Sequence, residues 1–121
     1  MKKIEKILIA DDEAKIRQIY RELLMTEGYE VLEAENGDIA DLLLENEGIN
    51  LVLLDINMPV VNGPGLYDLL RLYDPRIKVI VTSVYPLDDQ KKLICKADDY
   101  FDKSQSVGLL LSRVNHLLNT P

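Results

Sequence analysis

Leu51-Val52-Leu53-Leu54-Asp55-Ile56-Asn57-Met58-Pro59 is the stretch on which the fold turns. Four consecutive apolar residues, Leu51 to Leu54, read as a strand buried on both faces. Asp55 stands where that strand leaves the core, and a short polar turn follows, closed by Met58-Pro59. An ionised carboxylate at the mouth of an apolar strand is costly to dehydrate. Water, a cation or a chemical modification must therefore meet Asp55.

Upstream, Ile7 to Ala10 is a second short apolar run, ending in Asp11-Asp12-Glu13. Ile16, Ile19, Tyr20, Leu23 and Leu24 then recur as one stripe of a helix that Gly28 stops. Tyr29 to Ala34 alternates, which suits a strand nearer the sheet edge. Asn36-Gly37 makes a turn and caps a second helix carrying Ile39, Leu42 and Leu43, which Gly48 ends.

Downstream, Asn62-Gly63-Pro64 opens a third helix with Leu66, Leu69, Leu70 and Tyr73 on its stripe, and Pro75 prevents its continuation. Ile77 and Val79 to Val81 form a fourth buried strand running out into Thr82 and Ser83. Leu87 to Lys96 carries charges on both sides and offers only Leu87, Leu93, Ile94 and Ala97 to a buried face, the weakest helical pattern in the chain. Asp99 to Asp102 reads as a short fifth strand before Lys103-Ser104. Val107, Leu110, Leu111, Val114, Leu117 and Leu118 make the clearest stripe, a last helix.

Strand and helix thus alternate five times. Strands joined through helices are parallel, and right-handed crossovers put helices on both sheet faces. The expected fold is a three-layer, doubly wound α/β domain of five parallel strands and five helices, one domain over residues 1–121. A net charge of −7 argues against a general nucleic-acid footprint. The single cysteine, Cys95, excludes an internal disulfide, and it reads as a small apolar filler. No apolar run approaches a membrane span, and Ile7 to Ala10 is too short for a signal-peptide core, so a cytoplasmic protein is expected.

In such a sheet all strand C-termini share one edge, where ligands bind. Asp11 and Asp12 follow the first strand, Asp55 the third, Ser83 the fourth and Lys103 the fifth, so four strands send polar groups to one rim. Two carboxylates about 5 Å apart repel by roughly 3 kcal/mol at an effective dielectric near 20, a cost that a hard divalent cation reverses. The plainer reading is that Asp11-Asp12-Glu13 only opens a helix, where acids are favourable. The hydroxyl and the lysine on the same rim weigh against it.

This pattern resembles the receiver domains of two-component response regulators. The matching pieces are Asp11-Asp12, Asp55 in Asp-Ile-Asn-Met-Pro, Asn62-Gly63, Ser83, and Ala97-Asp98-Asp99-Tyr100 leading to Lys103. The resemblance implies a flavodoxin-like strand order 2-1-3-4-5. It further implies that Asp55 accepts a phosphoryl group from a phosphohistidine on a sensor histidine kinase or histidine phosphotransfer protein. Mg²⁺ would be held by Asp11 or Asp12 with Asp55 and the backbone carbonyl of Asn57. Lys103 would place a point charge on the phosphoryl group and Ser83 would donate its hydroxyl. Tyr100 would reorient with Ser83, changing the surface of the fourth helix, fifth strand and last helix. A downstream protein partner, an effector domain or a second copy would read that surface. The chain would be no enzyme beyond acting on its own phosphorylation and dephosphorylation.

Three departures from the family bear on these expectations. Ser104 stands where the family usually has proline, and the span from Ser83 to Lys103 is slightly short. Val84 is larger than the usual residue and narrows access to the site, while Thr82 competes with Ser83 for the hydroxyl role. His116, the only histidine, reads as structural. The competing functions are a degenerate receiver that binds partners without phosphorylation and an aspartyl-phosphate phosphatase. The second usually needs another Asp two residues after the nucleophile, where this chain has Asn57.

Overall fold

A computed structural model describes residues 3–56, Gly65, Tyr67, Asp68, Leu70, Arg71, 74–94 and 96–119, the Asn46 side chain aside. Its order is β1 (Lys6–Ala10), α1 (Ala14–Thr26), β2 (Glu30–Ala34), α2 (Gly37–Asn46), β3 (Leu51–Asp55), β4 (Lys78–Ser83), α3 (Leu87–Leu93), β5 (Asp99–Asp102) and α4 (Val107–Asn119). Gly65, Tyr67, Asp68, Leu70 and Arg71 are also helical, where the third of the five expected helices belongs. The remainder of that helix's stripe, Leu66, Leu69 and Tyr73, lies outside the described residues, as do Met58-Pro59, Asn62-Gly63-Pro64 and Cys95.

The five strands are all parallel in the order β2-β1-β3-β4-β5. β3 is central and buried at all five positions, Leu51 through Asp55, so the continuous apolar run translates into two-sided burial. Alternate strand residues feed two cores. Leu8, Ala10, Val52, Leu54, Val79 and Val81 pack with Ala40 and Leu44 of α2 and with Leu70 and Ile94. Ile7, Ile9, Leu51, Leu53 and Ile80 pack on the other face with Tyr20 and Leu24 of α1 and with Leu110 and Val114 of α4. The alternating strand at Tyr29 to Ala34 is the edge strand β2, as its pattern predicts.

The ends of α1 and α2 follow the sequence closely. Gly28 has φ +91°, and Gly28 N–H and Tyr29 N–H donate to Met25 O and Leu24 O, a Schellman closure of α1. Asn36 Oδ1 accepts from Ile39 N–H at 3.0 Å and caps α2. The expected stripes need correction on three helices. Ile19 of α1, Leu42 of α2 and Val107 of α4 are exposed, and in α2 the small Ala40 and Leu44 face the sheet instead.

The largest correction is α3, which ends at Leu93 rather than Lys96. Leu93, expected inside, is 50% exposed, whereas Gln90 is wholly buried. Ile94 is buried, but beyond the last helical turn. A polar amide, not an apolar stripe, docks this helix.

Candidate functional site

The rim above β1, β3, β4 and β5 gathers the acidic and basic groups. Asp11 follows β1 directly and Asp55 ends β3, and both are buried (1% and 4% exposed). Lys103, the residue after β5, reaches between them. Its Nζ lies 2.9 Å from Asp11 Oδ2, 3.5 Å from Asp55 Oδ2 and 3.4 Å from Glu13 Oε1. Burial acts to lower the Lys103 pKa, but the carboxylates of Asp11, Asp55 and Glu13 outweigh it and hold the ammonium above its ordinary range. Lys103 is a permanent cation here.

Asp11 is fixed from both sides. Its Oδ1 accepts from Glu13 N–H at 2.9 Å, and its carbonyl accepts from Arg17 Nη1 at 2.7 Å. Arg17 in turn pairs with Glu33 at 3.2 Å, as does Arg21 at 3.1 Å, so α1 and β2 brace the acidic loop. Glu13 occupies the N-cap position of α1, yet no side chain caps the helix there. The acidic run therefore does more than open a helix.

Asp11, Asp12 and Asp55 each present a carboxylate oxygen within 4.8 Å of the others, Asp12 from an exposed position. Asp11 Oδ2 is buried and, among the described residues, meets no hydrogen-bond donor in good geometry, with the Lys103 ammonium as its ion-pair partner. Hard oxygen donors at this spacing, with one exposed side left for water, fit Mg²⁺. Asn57, whose carbonyl completes the expected ligand set, lies outside the described residues.

Asp12, Glu13, Asp55, Ser83, Val84 and Lys103 line one open cavity of about 290 Å³. Ser83 is thus on the cavity wall. Thr82, its rival, is buried in β4 beside Asp55 and is not among the lining residues. Ser83 Oγ accepts from Tyr85 N–H at 3.0 Å, and Ser83 O accepts from Lys103 N–H at 2.8 Å. Val84 is exposed at the mouth. The lysine loop is secured without proline: Asp102 Oδ1 accepts from Ser104 N–H at 2.9 Å and Ser104 Oγ at 2.8 Å, and Gln105 N–H donates to Asp102 O. No peptide bond among the described residues is cis.

Tyr100 stands apart from this group. Its hydroxyl donates to Ile94 O at 2.5 Å and accepts from Ala97 N–H at 3.2 Å, and Lys91 Nζ lies 5.8 Å from its ring centre. It is tied to the turn after α3. Glu13, Arg17 and Gln90 carry geometry that residue type and spacing did not single out. For Glu13 the signal was present, as the third acid in a row.

Fold and rim together define a class: an α/β domain that gathers carboxylates, a hydroxyl and a lysine at its strand C-termini. Residues 7–115 match the family model of the response regulator receiver domain, and the chain belongs to that family. A probable transcriptional regulator of Galdieria sulphuraria is 38% identical over 119 residues, 98% of this chain and 47% of that protein. The chain therefore spans about half the length of the curated relatives it matches. A CheY-like receiver domain from Methanospirillum hungatei superposes with a TM-score of 0.90 at 29% identity, covering 97% of this chain and 95% of that one. The response regulator TrrA of Thermotoga maritima, solved in complex with Mg²⁺-BeF, gives a TM-score of 0.86 at 33% identity over 94% and 99% of the two chains.

Proposed function

We propose that this receiver domain is a phosphoacceptor, taking a phosphoryl group on Asp55 from a phosphohistidine of a sensor histidine kinase or histidine phosphotransfer protein. The observation that carries the reading is the Lys103 ammonium held between the buried carboxylates of Asp11 and Asp55, on the wall of the cavity that Ser83 and Asp12 share. An Asp55 carboxylate oxygen forms the new P–O bond as the donor's P–N bond breaks, and the leaving imidazole takes up a proton from solvent. Lys103 offsets the negative charge of the transferring oxygens. Ser83 turns its hydroxyl hydrogen toward one of them, its lone pair being engaged by Tyr85 N–H.

Asp11, Asp12 and Asp55, with the Asn57 carbonyl, would hold Mg²⁺, which would supply charge neutralisation for the acceptor carboxylate and the phosphoryl group. The chain acts catalytically only on its own phosphoryl state, within the cytoplasm. No described helix is long and apolar enough to cross a membrane. Switching passes to the surface of α3, β5 and α4 and requires Tyr100 to give up its bonds to Ile94 and Ala97. A downstream protein, an effector domain or a second copy reads that surface, with no direct contact to nucleic acid by this domain.

Incubated with Mg²⁺ and acetyl phosphate, the protein gains the mass of one phosphoryl group, and Asp55→Asn gains none. No gain in the wild type overturns the proposal. A Mg²⁺ titration followed by NMR shifts of the rim amides saturates in the wild type and is lost in Asp12→Ala.

A further inference from the structure

Gln90 is the one buried residue of α3, and it is polar. Its Nε2 donates to Tyr85 O at 2.8 Å and to Phe101 O at 3.1 Å, while the buried Oε1 meets no donor among the described residues. Two carbonyl partners for one nitrogen fix which end of the amide points where. A wholly buried amide left with an unpaired oxygen is expensive, and an apolar residue would seat the helix more cheaply.

The two carbonyls explain the position. Tyr85 N–H binds Ser83 Oγ, Tyr85 O binds Gln90, Gln90 binds Phe101 O, and two residues on, Lys103 N–H binds Ser83 O. These bonds close a ring around the end of β4 and β5. Ser83 and Lys103, the two groups facing Asp55 across the cavity, are both members of it. Gln90 thus adds a bridge between the loop after β4 and the edge strand β5 beyond the sheet ladder and the Lys103 N–H bond. The Lys103 backbone here has no proline beside it to stiffen it.

We infer that Gln90 is a positioning residue that sets Ser83 and Lys103 against the phosphoryl site through this ring, and that α3 shifts when the ring rearranges. The inference rests on the phosphoacceptor reading. The unpaired Oε1 leaves the amide an acceptor to offer when the loop holding Ser83 moves, so the ring can exchange partners rather than break.

The test uses Gln90→Met, which keeps the volume and apolar seating but removes both donated bonds. A purely structural Gln90 would alter the melting temperature and leave the chemistry alone. A positioning Gln90 gives the opposite split. The variant melts close to the wild type. The amides of Tyr85 and Lys103 exchange with solvent faster, while β1 and β3 amides are unchanged. The saturating rate of phosphorylation by acetyl phosphate with Mg²⁺ falls by roughly tenfold at an unchanged half-saturating donor concentration. The NMR shift changes that beryllofluoride induces over residues 87–94 are lost.

Unchanged exchange, or a wild-type phosphorylation rate in the variant, overturns this inference alone, provided the wild type is phosphorylated. A wild type that takes no phosphoryl group overturns the functional reading first, and the catalytic half of the inference with it. Amide exchange is read without a phosphodonor, so the ring itself is tested in either case.

Discussion

Lys103 holds together carboxylates that would otherwise repel. With its ammonium beside Asp11 and Asp55, all three side chains less than one-tenth exposed, Lys103→Met leaves two buried acids unbalanced. The variant should unfold in urea with about 3 kcal/mol less stability in the absence of divalent ions, and Mg²⁺ should restore part of the loss. Tyr20, buried in α1 near the same charges, gives a second prediction. Burial chiefly, with the acids of the rim, pushes its phenol up from 10.0 to about 12 against the opposing pull of Lys103. Below pH 10 both folded and unfolded chains keep the proton and stability is level. Between 10 and 12 only the unfolded chain ionises, so stability falls, by on the order of 2–3 kcal/mol. Lys103 acts in the same direction above its ordinary pKa. Urea midpoints from pH 9 to 11.5 should therefore decline, and decline less steeply in Tyr20→Phe. At this scale Asp11, Asp55, Ser83 and Lys103 were legible because each ends or follows a readable strand. Arg17 was not, since its bond to the Asp11 carbonyl depends on how α1 leans on β2.

Helices differ in how plainly their residues announce them. α2 has an Asn36 cap and a left-handed Gly48 at φ +62°, and both were evident from residue type. Asn36→Ala should cost about 1 kcal/mol, read as a lowered urea midpoint with no change at the rim. Its buried face was less evident: Ala40 is too small to register in a search for bulky apolar residues, and Leu42, which does register, faces outward. α3 was the hardest to read for a deeper reason. Periodicity reports apolar burial, and this helix is seated by an amide. Its shortness moves Ile94 out of the helix and into the turn that holds the Tyr100 hydroxyl. The strands were the most legible elements, because Leu51 to Leu54 and Val79 to Val81 are buried on both faces and carry no competing pattern.

Across the whole molecule, the helices differ in what they bury. α1, α2 and α4 bring Tyr20, Leu24, Ala40, Leu44, Leu110 and Val114 against the sheet, while α3 contributes only Gln90 to burial from within its helical span. That imbalance sets where the native state gives way. An element with a single buried side chain and few apolar contacts opens locally at a free energy well below global unfolding. The exposed pair Lys91-Lys92 lies in its last turn. Trypsin under native conditions should therefore cut at Lys91 or Lys92 well before Lys6 or Lys78, which are anchored in the sheet. The first fragments, read by mass, would separate at this helix. A protease would thus find the same weakness on which the proposed switch draws: the part of the receiver proposed to respond is the part least committed to staying folded.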